Sequence, residues 1–496
     1  MSQESTKKYN IDHLISKRAI NRQFIHFNSD NSKRAPEGFL PHPRPLGLAY
    51  GRPNPQYYPI KKITIALDEY PFQDSLFSTK KHDEVSFDVL RVADETGSIG
   101  LNEAFQYGDL NGLPAFAKFV KQFVEQIHRP SYDNWLTIGT SGASDGMNKA
   151  ADAIIDSGDI VLLEEFTFTP FVNSVLNAGG IIVPTKLNLS STDAKFDVAY
   201  LSNLLNNWDN LKPEHKKNKP KALYIIPTCQ NPTGITHSIE QRKKIYELAS
   251  VHDFVIIEDD PYGYLALPPF SKPNILEIQR ENISVDEFLN NQLIPSYLRF
   301  DTEGRVIRLE TFSKVFSPGL RLGFIVAHEN IIKVIKRNAA IGTRSPSGPS
   351  QLILMNVINQ KLGGLQGWLE WILKVRLAYV HRRNVLINSL TELRAYQNGY
   401  FGILSSEAGM FASIIINFPQ GINKIDKLEL LNYKLLQHGV TVVLGNKLAV
   451  DVEFSKESAN FLRLSYAELD NDAELEEAGK RLTTAIEEFF RKDFNY

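Results

Sequence analysis

Residues 305–323 read RVIRLETFSKVFSPGLRLG, an apolar run followed by a lysine among hydroxyl-bearing residues. The first five residues have the composition of a buried strand, so Lys314 follows a predicted strand end. A lysine can form an imine when it is held out of bulk water. Thr311, Ser313 and Arg321 place phosphate donors nearby. The alternative interpretation is a loop lysine beside a solvated arginine, but the full motif favours a functional lysine.

Strands and helices alternate along the chain around this stretch. The predicted strands are residues 135–138, 159–163, 181–186, 222–226, 254–257, 305–309 and 323–326, and the predicted helices are residues 144–156, 171–178 and 238–252. Ser238 is a predicted N-cap, with Gln241 three residues later. This alternation predicts an α/β fold with a mainly parallel sheet flanked by helices. Ligands of such sheets bind at the carboxyl ends of the strands.

A carboxylate-rich segment, Glu258-Asp259-Asp260-Pro261-Tyr262, follows the predicted strand 254–257. A carboxylate at this strand end can pair with a protonated pyridine nitrogen and keep the ring an electron acceptor. Tyr262 lies three residues beyond Asp259 and is expected to reach the phenolic oxygen of the same ring. Asp-Asp-Pro-Tyr is also good turn chemistry, so a purely structural turn is the alternative.

Two further segments follow predicted strands. Gln230-Asn231-Pro232-Thr233-Gly234 is a turn sequence that carries a side-chain amide towards the same edge of the sheet. Gly139-Thr140-Ser141-Gly142-Ala143-Ser144 opens a helix, where small residues and backbone N–H groups favour an anion. A turn and a helix cap are the alternatives for each segment taken alone. Together with Lys314 and Asp259, the segments predict one site for a phosphorylated ring.

Composition excludes several other classes of protein. The chain has 496 residues, with 55 basic and 57 acidic residues, and the formal net charge of -2 gives no basic surface for nucleic acid. It has no apolar run long enough for a membrane span. The N-terminus lacks the apolar segment of a secretory signal, and the single cysteine, Cys229, suits a reducing compartment, so we expect a cytoplasmic protein. The histidines show no metal-ligand spacing, so no metal is expected.

The domain organisation follows from changes of pattern. Residues 1–45 are polar, with Pro41, Pro43 and Pro45, and are expected to form a loosely packed N-terminal arm. Residues 85–360 are predicted to form a large domain, and residues 46–84 and 361–496 a smaller α+β domain. The smaller domain is expected to contain a helix at 368–393 and strands at 411–416 and 440–444. Residues 208–221 and 265–304 are predicted surface loops, and residues 381–383 a solvated helix face.

The segments together resemble the fold-type I, class I/II aminotransferases that depend on pyridoxal 5'-phosphate. The closer resemblance is to the branch with the fungal aromatic aminotransferase II type and the kynurenine/2-aminoadipate aminotransferases. The resemblance runs from about residue 45 to the C-terminus. Its motifs are Pro53-Asn54-Pro55, Phe105-Gln106-Tyr107, Glu165-Phe166-Thr167-Phe168, Asn231-Pro232-Thr233-Gly234, Glu258-Asp259-Asp260-Pro261-Tyr262, Glu310-Thr311-Phe312-Ser313-Lys314 and Phe461-Leu462-Arg463-Leu464.

The resemblance implies a role for each matching residue. The implied cofactor-binding residues are Tyr107, Ala143, Ser144, Phe168, Asn231, Asp259, Tyr262, Thr311, Ser313, Lys314 and Arg321, and the implied substrate-binding residues are Gly51, Asn231 and Arg463. Lys314 would be the Schiff-base lysine and proton shuttle, and Asp259 would pair with the pyridinium nitrogen. Arg463 would bind the substrate α-carboxylate. Tyr107 would reach the phosphate of the neighbouring subunit's cofactor, which implies a homodimer.

The remaining implied roles concern the ring and the phosphate. Asn231 and Tyr262 would bond the ring hydroxyl oxygen. Phe168 would stack on the ring, where relatives often have tyrosine. The phosphate would be bound by the helix start at Ala143 and Ser144 together with Thr311, Ser313 and Arg321. Two departures bear on specificity and binding: Tyr50-Gly51-Arg52 replaces the usual Gly-Gly, and Ala143 can offer only its backbone N–H.

The resemblance implies ping-pong transfer of the amino group of phenylalanine, tyrosine or tryptophan to a 2-oxo acid such as 2-oxoglutarate. A 2-aminoadipate or kynurenine aminotransferase is the alternative within the same branch. Another pyridoxal-phosphate chemistry on the same fold, such as a lyase or decarboxylase, is a further alternative. A non-enzymatic regulator with an aminotransferase-like domain is the last one. Such regulators carry a DNA-binding domain ahead of the fold, and about 45 residues are too few for it.

Overall fold

The strand that precedes Lys314 lies inside a seven-stranded sheet in the computed structural model of the chain. The structure describes residues 10–23, 36–44, 46–48, 51–68, 84–93, 97–270, 283–404 and 407–496. Pro45 and Tyr50, which belong to the predicted arm and to the departure from the family motif, lie outside the described residues.

The strands are numbered in chain order. They are β1 (Lys62–Asp68), β2 (Glu84–Leu90), β3 (Trp135–Thr140), β4 (Ile160–Glu164), β5 (Ile181–Thr185), β6 (Leu187–Asn188), β7 (Lys195–Phe196), β8 (Pro220–Ile225), β9 (Val255–Asp259), β10 (Val306–Thr311), β11 (Gly323–His328), β12 (Phe401–Ile403), β13 (Phe411–Ile416), β14 (Val443–Leu444) and β15 (Phe461–Ser465). β1 and β2 pair antiparallel, as do β6 and β7.

The helices are numbered in the same way. They are α1 (Lys17–Ile20), α2 (Leu101–Ala104), α3 (Pro114–Phe123), α4 (Ala143–Ile154), α5 (Pro170–Asn177), α6 (Val198–Asn206), α7 (Trp208–Leu211), α8 (Ile239–His252), α9 (Val285–Glu287), α10 (Glu329–Ile341), α11 (Gly348–Asn356), α12 (Leu365–Thr391), α13 (Arg394–Gln397), α14 (Lys424–Gln437), α15 (Val452–Ser455) and α16 (Asp472–Arg491). Short 3-10 segments are Asp12–Leu14, Pro55–Tyr57, Pro213–His215, Tyr297–Arg299, Pro318–Leu320 and Gly445–Leu448, and π-helical segments are Val124–His128, Phe288–Gln292 and Val357–Leu362.

The large sheet has the strand order β3-β11-β10-β9-β8-β4-β5. β11 runs antiparallel to both of its neighbours, whereas the other adjacent pairs are parallel. Gly323, at the start of β11, pairs with both Thr311 and Thr140, so the carboxyl ends of β10 and β3 lie at the same edge of the sheet, on either side of β11. The predicted α/β fold with a mainly parallel sheet is confirmed.

Local sequence signals correspond to the observed elements. Four strands, β4, β8, β9 and β10, are buried along their length, as their apolar runs predict. The exception is one half-buried residue in β8. Ser238 caps α8: its side chain accepts from the backbone N–H of Gln241, whose side chain accepts from the backbone N–H of Ser238. The predicted capping pair is therefore confirmed.

A smaller antiparallel sheet has the order β12-β13-β15-β14. α12, α14 and α16 contribute to its hydrophobic core, which includes Leu390, Leu431 and Phe489. Arg463 lies on β15, and Phe411 is the first residue of β13. This sheet therefore carries two side chains towards the large sheet.

The predicted surface loops at 208–221 and 265–304 are correct only in part, since most residues of the first are exposed. Residues 208–221 contain α7 and the start of β8, and Trp208 is buried with its Nε1 donating to the carbonyl oxygens of His215 and Asn218 at 3.2 and 3.1 Å. Residues 265–304 include the buried Tyr297, whose backbone N–H donates to Oε1 of Glu258 at 3.1 Å. The charged and proline-rich composition of these segments did not indicate that Trp208 and Tyr297 are buried.

The predicted solvated face at residues 381–383 is wrong, because all three side chains are buried. His381 Nε2 lies 2.7 Å from Asp472 Oδ2, Arg382 Nε donates to the Tyr466 carbonyl at 2.7 Å, and Arg383 Nη2 donates to the Pro268 carbonyl at 2.7 Å. Their polar groups find partners on neighbouring elements, which permits burial of charged residues.

Within the N-terminal arm, residues 10–23 are packed more firmly than the composition of the arm predicts, whereas residues 36–44 are exposed. Ile11, Leu14, Ile15 and Ala19 are buried in the same hydrophobic cluster as α4. The Ser16 hydroxyl donates to Asp156 Oδ1 at 2.6 Å. Within the described residues, no helix combines the length and apolar composition that a membrane crossing requires.

Candidate active site

A cavity of about 350 Å³ lies where the carboxyl ends of the large sheet face the smaller sheet. Its lining residues are Ala143, Ser144, Met147, Phe168, Ile226, Asn231, Asp259, Pro261, Tyr262, Thr311, Ser313, Lys314, Pro318, Arg321, Phe411 and Arg463. Eleven of the sequence-predicted site residues are among them. The structure thus brings together residues from β-strand ends that are far apart in the chain.

Lys314 follows the carboxyl end of β10 and is half-buried in this cavity. Burial lowers the pKa of its amino group, and the positive charges of Arg463 and Arg321 lower it further, while Asp259 opposes them. A lowered pKa increases the fraction of neutral amine, which is the form that attacks a carbonyl carbon.

Asp259 is the last residue of β9 and is buried. Its Oδ2 accepts a hydrogen bond from the Tyr224 hydroxyl at 2.6 Å, whereas its Oδ1 has no partner among the described residues. Burial raises the pKa of this carboxyl group to about 7, although the Tyr224 bond opposes the rise. A buried carboxyl oxygen without a partner is energetically unfavourable, so Oδ1 is suited to a donor supplied by a ligand.

Asn231 and Arg463 meet at the boundary between the two sheets. Arg463 Nη1 donates to Asn231 Oδ1 at 2.7 Å, and the Arg463 guanidinium lies 4.5 Å from the ring centroid of Phe411. Gln230 stabilises the turn that contains Asn231. Its Oε1 accepts hydrogen bonds from the backbone N–H and the hydroxyl of Thr233 at 3.0 and 2.6 Å. These contacts hold a guanidinium over the cavity in a fixed orientation.

The turn between β3 and α4 forms an anion-binding end of the cavity. Gly142 has φ +86°, and a Cβ built on it would lie 2.7 Å from Arg321 Nη2. The backbone N–H groups at the start of α4 and the guanidinium of Arg321 therefore lie together, which favours an anion such as phosphate. Thr311 and Ser313 line the same cavity, with their hydroxyl oxygens 2.8 Å apart.

Aromatic side chains form the walls. Tyr262 is buried and meets Phe411 edge to face, with ring centroids 5.8 Å apart. Burial raises the pKa of the Tyr262 hydroxyl, so this group remains a hydrogen-bond donor at neutral pH. Phe168 is partly exposed where it lines the cavity. The cavity therefore suits a flat ring with an anionic group at one end and a hydrogen-bond donor that meets Asp259.

Two predicted residues do not line the cavity of their own chain. Tyr107 has 74% of its surface exposed, and Gly51 is exposed with no described atom within 4 Å of a Cβ built on it. Gln106, next to Tyr107, donates from Nε2 to the Pro53 carbonyl at 2.9 Å and so connects two of the sequence motifs.

The sequence reasoning missed Phe411, Met147, Ile226 and the buried Tyr224 behind Asp259. Phe411 opens a predicted strand, but the pairing of β13 with β15 was needed to place it beside Arg463. Tyr224 had a signal, since it is the one polar side chain in the apolar strand 222–226. Among the described residues, no group of three or more His, Cys, Asp or Glu side chains could hold a metal ion.

Comparisons with known proteins identify a family for this chain and several similar proteins. Residues 81–482 match the model of the family described as aminotransferase class I and II. Aromatic amino acid aminotransferase 2 of Saccharomyces cerevisiae is 38% identical, over 97% of this chain and 96% of its own length. The crystal structure of the aromatic aminotransferase Aro9 from C. albicans superimposes with a TM-score of 0.91 and 44% identity, covering 98% of this chain and 99% of that one. The mitochondrial kynurenine/alpha-aminoadipate aminotransferase of Mus musculus is 29% identical, over 89% of this chain and 92% of its own length.

Proposed function

Because this chain belongs to the class I and II aminotransferases, we propose that it transfers the amino group of an aromatic L-amino acid to a 2-oxo acid, with pyridoxal 5'-phosphate as its cofactor. The observation that carries the proposal is the meeting of Lys314, Asp259 and Arg463 at one cavity. An amine, a carboxylate and a guanidinium are the groups needed for the cofactor aldehyde, the cofactor ring and the substrate carboxylate.

The residues present fit the proposed cofactor. Asp259 Oδ1, which has no partner among the described residues, suits a ring N–H, and the start of α4 with Arg321 suits a phosphate. Asn231 and Tyr262 would bond the ring hydroxyl oxygen, Phe168 would cover a ring face, and Ala143, Ser144, Thr311 and Ser313 would complete the phosphate site. When bound, pyridoxal phosphate supplies an aldehyde that condenses with amines and a ring that accepts the electron pair left by the departing α-proton.

Lys314 would bind the cofactor aldehyde and then, once released by the substrate amine, move a proton. Its lowered pKa gives it the neutral form that can take the substrate α-proton at Nζ. The same Nζ would return that proton to the C4′ carbon of the cofactor, which is the carbon of its aldehyde group. The half-buried position limits exchange of the proton with bulk water.

Arg463 would bind the substrate α-carboxylate. Its guanidinium has five N–H donors, of which one is bonded to Asn231 in the structure, so donors remain for a carboxylate. Gly51, in the N-terminal segment, would lie near the substrate, as the resemblance to the family motif implies.

The aromatic preference is supported by the names of the yeast relative and the C. albicans structure and by the apolar lining at Met147, Phe168, Ile226 and Phe411. Aromatic rings pack favourably edge to face on one another. A 2-aminoadipate or kynurenine aminotransferase is the second candidate, supported by the mouse relative.

The proposed assembly is a homodimer in which Tyr107 of each subunit binds the phosphate in the cavity of the other. The 74% exposure of Tyr107 supports a role outside its own cavity. The proposed location is the cytoplasm, supported by the presence of a single cysteine in the chain. The division into a large domain at 85–360 and a small domain at 46–84 and 361–496 is part of the same proposal.

The test is a substrate panel with the absorbance spectrum of the cofactor as the readout. Phenylalanine, tyrosine, tryptophan, 2-aminoadipate and kynurenine would each be added without an acceptor. We expect the aromatic amino acids to convert the cofactor to its amine form most rapidly, and parallel lines in double-reciprocal plots when 2-oxoglutarate is varied as well. Faster conversion by 2-aminoadipate or kynurenine would favour the second candidate, and no conversion by any of them would contradict both.

Lys314→Ala tests the assigned lysine in the same assay. We expect loss of the visible absorbance band and at least about a 100-fold loss of turnover, because Nζ both binds the cofactor and moves the proton. Lys333→Ala is the matched control, since Lys333 is exposed and pairs with Glu329 at 3.4 Å on α10. Retention of the band in Lys314→Ala would contradict the assignment.

A further inference from the structure

Tyr224 lies directly behind Asp259 on the neighbouring strand. Tyr224 of β8 pairs with Ile257 of β9, so Tyr224 and Asp259 project from the same face of the sheet. The two side chains join through the hydrogen bond of 2.6 Å from the hydroxyl to Oδ2. Tyr224 is fully buried and does not line the cavity, so it cannot touch a ligand there.

The ring of Tyr224 is held by a second aromatic side chain. Phe171, near the start of α5, stacks on it with a centroid distance of 3.8 Å and an angle of 11° between the rings. A stacked and buried ring keeps its hydroxyl in one place. The hydroxyl therefore binds one particular oxygen of Asp259 and leaves the other, Oδ1, without a partner among the described residues.

From this geometry we propose that Tyr224 is a positioning residue, which holds the Asp259 carboxyl so that Oδ1 meets the ring nitrogen of the cofactor. This inference rests on the function proposed above. Ordering a carboxyl group that rotates freely costs conformational entropy, which reduces the affinity for the ligand. A carboxyl group that is already oriented avoids this cost.

The electrostatic surroundings of Asp259 give the hydroxyl a second effect. Burial raises the pKa of Asp259, the bond from Tyr224 lowers it, Asp260 and Glu310 raise it, and Arg308 lowers it. Burial also raises the pKa of Tyr224 well above its ordinary value, so the hydroxyl stays protonated and donates at any physiological pH. The bond thus favours the charged carboxylate that a protonated ring nitrogen needs.

Tyr224→Phe removes the hydroxyl and keeps the stacked ring. In the holoenzyme we expect the dissociation constant of pyridoxal phosphate to rise about 10- to 100-fold, and the conversion of the cofactor by phenylalanine alone to slow by a similar factor. The KM for phenylalanine should change less than kcat, because Tyr224 does not touch the substrate. Tyr246→Phe is the matched control: its hydroxyl donates to the buried Asp301 at 3.0 Å, away from the cavity, and its loss should leave cofactor binding unchanged.

A double-mutant cycle separates positioning from general stability. In an Asp259→Ala background, Tyr224→Phe should leave cofactor affinity within about twofold, because the carboxyl group through which Tyr224 acts has been removed. The same loss in both backgrounds, or an affinity within about twofold of the parent in the single variant, would overturn the proposal. Loss of helical circular dichroism in Tyr224→Phe would assign the hydroxyl to folding and would also overturn it. A parent enzyme that binds no cofactor would instead contradict the proposed function.

Discussion

At the residue scale, three buried carboxyl groups show how neighbours decide charge. Burial raises the pKa of Glu164 to about 8, and the hydrogen bonds from Ile226 and Gln230 oppose that rise only in part. Burial also raises the pKa of Asp259, to about 7. At Glu310 burial acts in the same direction, but Arg308 and His128 outweigh it and lower the pKa to about 2. Similar burial is therefore accompanied by a raised pKa at two of these carboxyl groups and a lowered pKa at the third.

Glu164→Gln tests the neutral state. Between its ordinary pKa near 4.5 and its folded pKa of about 8, the unfolded chain releases the proton that the folded chain keeps. The stabilising contribution of Glu164 is therefore complete below about pH 4.5 and is lost as the pH rises towards 8. Gln stays neutral, so its advantage in the free energy of unfolding should grow between about pH 5 and 8 and then level off, as measured by urea unfolding at each pH.

Glu240→Gln is the matched control for this pH series. Glu240 is exposed at the start of α8, where its own backbone N–H and Ser238 lower its pKa. Its titration therefore lies below the tested range, and its variant should show a constant difference. A constant difference in Glu164→Gln as well would contradict a raised pKa at Glu164.

Arg463→Lys tests recognition of the carboxylate. Lysine keeps the positive charge but has no pair of parallel N–H donors. We expect the KM values for the amino acid and for the 2-oxo acid to rise together, by roughly 10- to 100-fold, in steady-state kinetics. Arg481→Lys, an exposed arginine whose Nε lies 2.8 Å from Glu477 on α16, should leave both unchanged. Unchanged KM values in Arg463→Lys would remove Arg463 from the substrate site.

At the scale of elements, the turn from β3 into α4 determines the anion-binding end. The positive φ of Gly142 turns the chain sharply, so that the first backbone N–H groups of α4 meet Arg321. Arg321 also has a positive φ, of 48°, an uncommon conformation for a residue with a side chain. The two turns approach each other so closely that a methyl group would not fit between them.

Gly142→Ala should weaken cofactor binding by at least about 10-fold, because the new methyl group displaces Arg321 in addition to straining the backbone. Gly158→Ala is the matched control, since Gly158 also has φ +86° but has no described atom within 4 Å of a Cβ built on it. Gly142→Ala should raise the dissociation constant measured by fluorescence titration, and Gly158→Ala should leave it unchanged. Equal cofactor affinities in the two variants would show that Arg321 is not displaced.

At the scale of the whole molecule, the cavity depends on the smaller sheet packing against the large one. Asn231 lies in the turn that follows β8 of the large sheet and Arg463 lies on β15 of the smaller one, and the two are 232 positions apart in the chain. Any rearrangement of the smaller sheet would therefore change the position of the guanidinium relative to Lys314.

Hybrid dimers test whether Tyr107 acts across subunits. Tyr107→Phe alone should weaken cofactor binding by about 10-fold, because one phosphate hydrogen bond is lost, and Lys314→Ala alone should be inactive. A hybrid of one Tyr107→Phe chain and one Lys314→Ala chain has one cavity with an intact Lys314 and an intact Tyr107 from the other chain. Separately tagged and co-purified hybrids should therefore regain the parent affinity at that cavity.

If Tyr107 instead binds the phosphate in the cavity of its own chain, the hybrid is expected to give a different result. The cavity with Lys314 would then be served by the substituted side chain of its own subunit, which lacks the hydroxyl, and the hybrid would show no recovery. In the control hybrid, Tyr433→Phe, at an exposed position on α14, replaces Tyr107→Phe. The cavity of that hybrid that keeps Lys314 should bind the cofactor with the parent affinity. Sedimentation should give a particle of twice the 56.1 kDa chain mass.

What the sequence alone determined is what depends on neighbours in the chain. Apolar runs predicted β8, β9 and β10, and a serine and a glutamine predicted the cap of α8, because these features are decided by burial and hydrogen bonding within a few residues. The rule that parallel strands end at one edge then predicted that Lys314, Asp259 and Asn231 face the same cavity.

Tertiary structure decided what depends on distances between remote segments. The bond from Tyr224 to Asp259, the stacking of Arg463 on Phe411 and the raised pKa of Glu164 all require a register between strands or a packing of two sheets. The buried residues 381–383 show the same limit, since their charges predicted a solvated face and only their partners on other elements permitted burial. A pKa or a contact depends on solvation and distance, which a linear pattern does not contain.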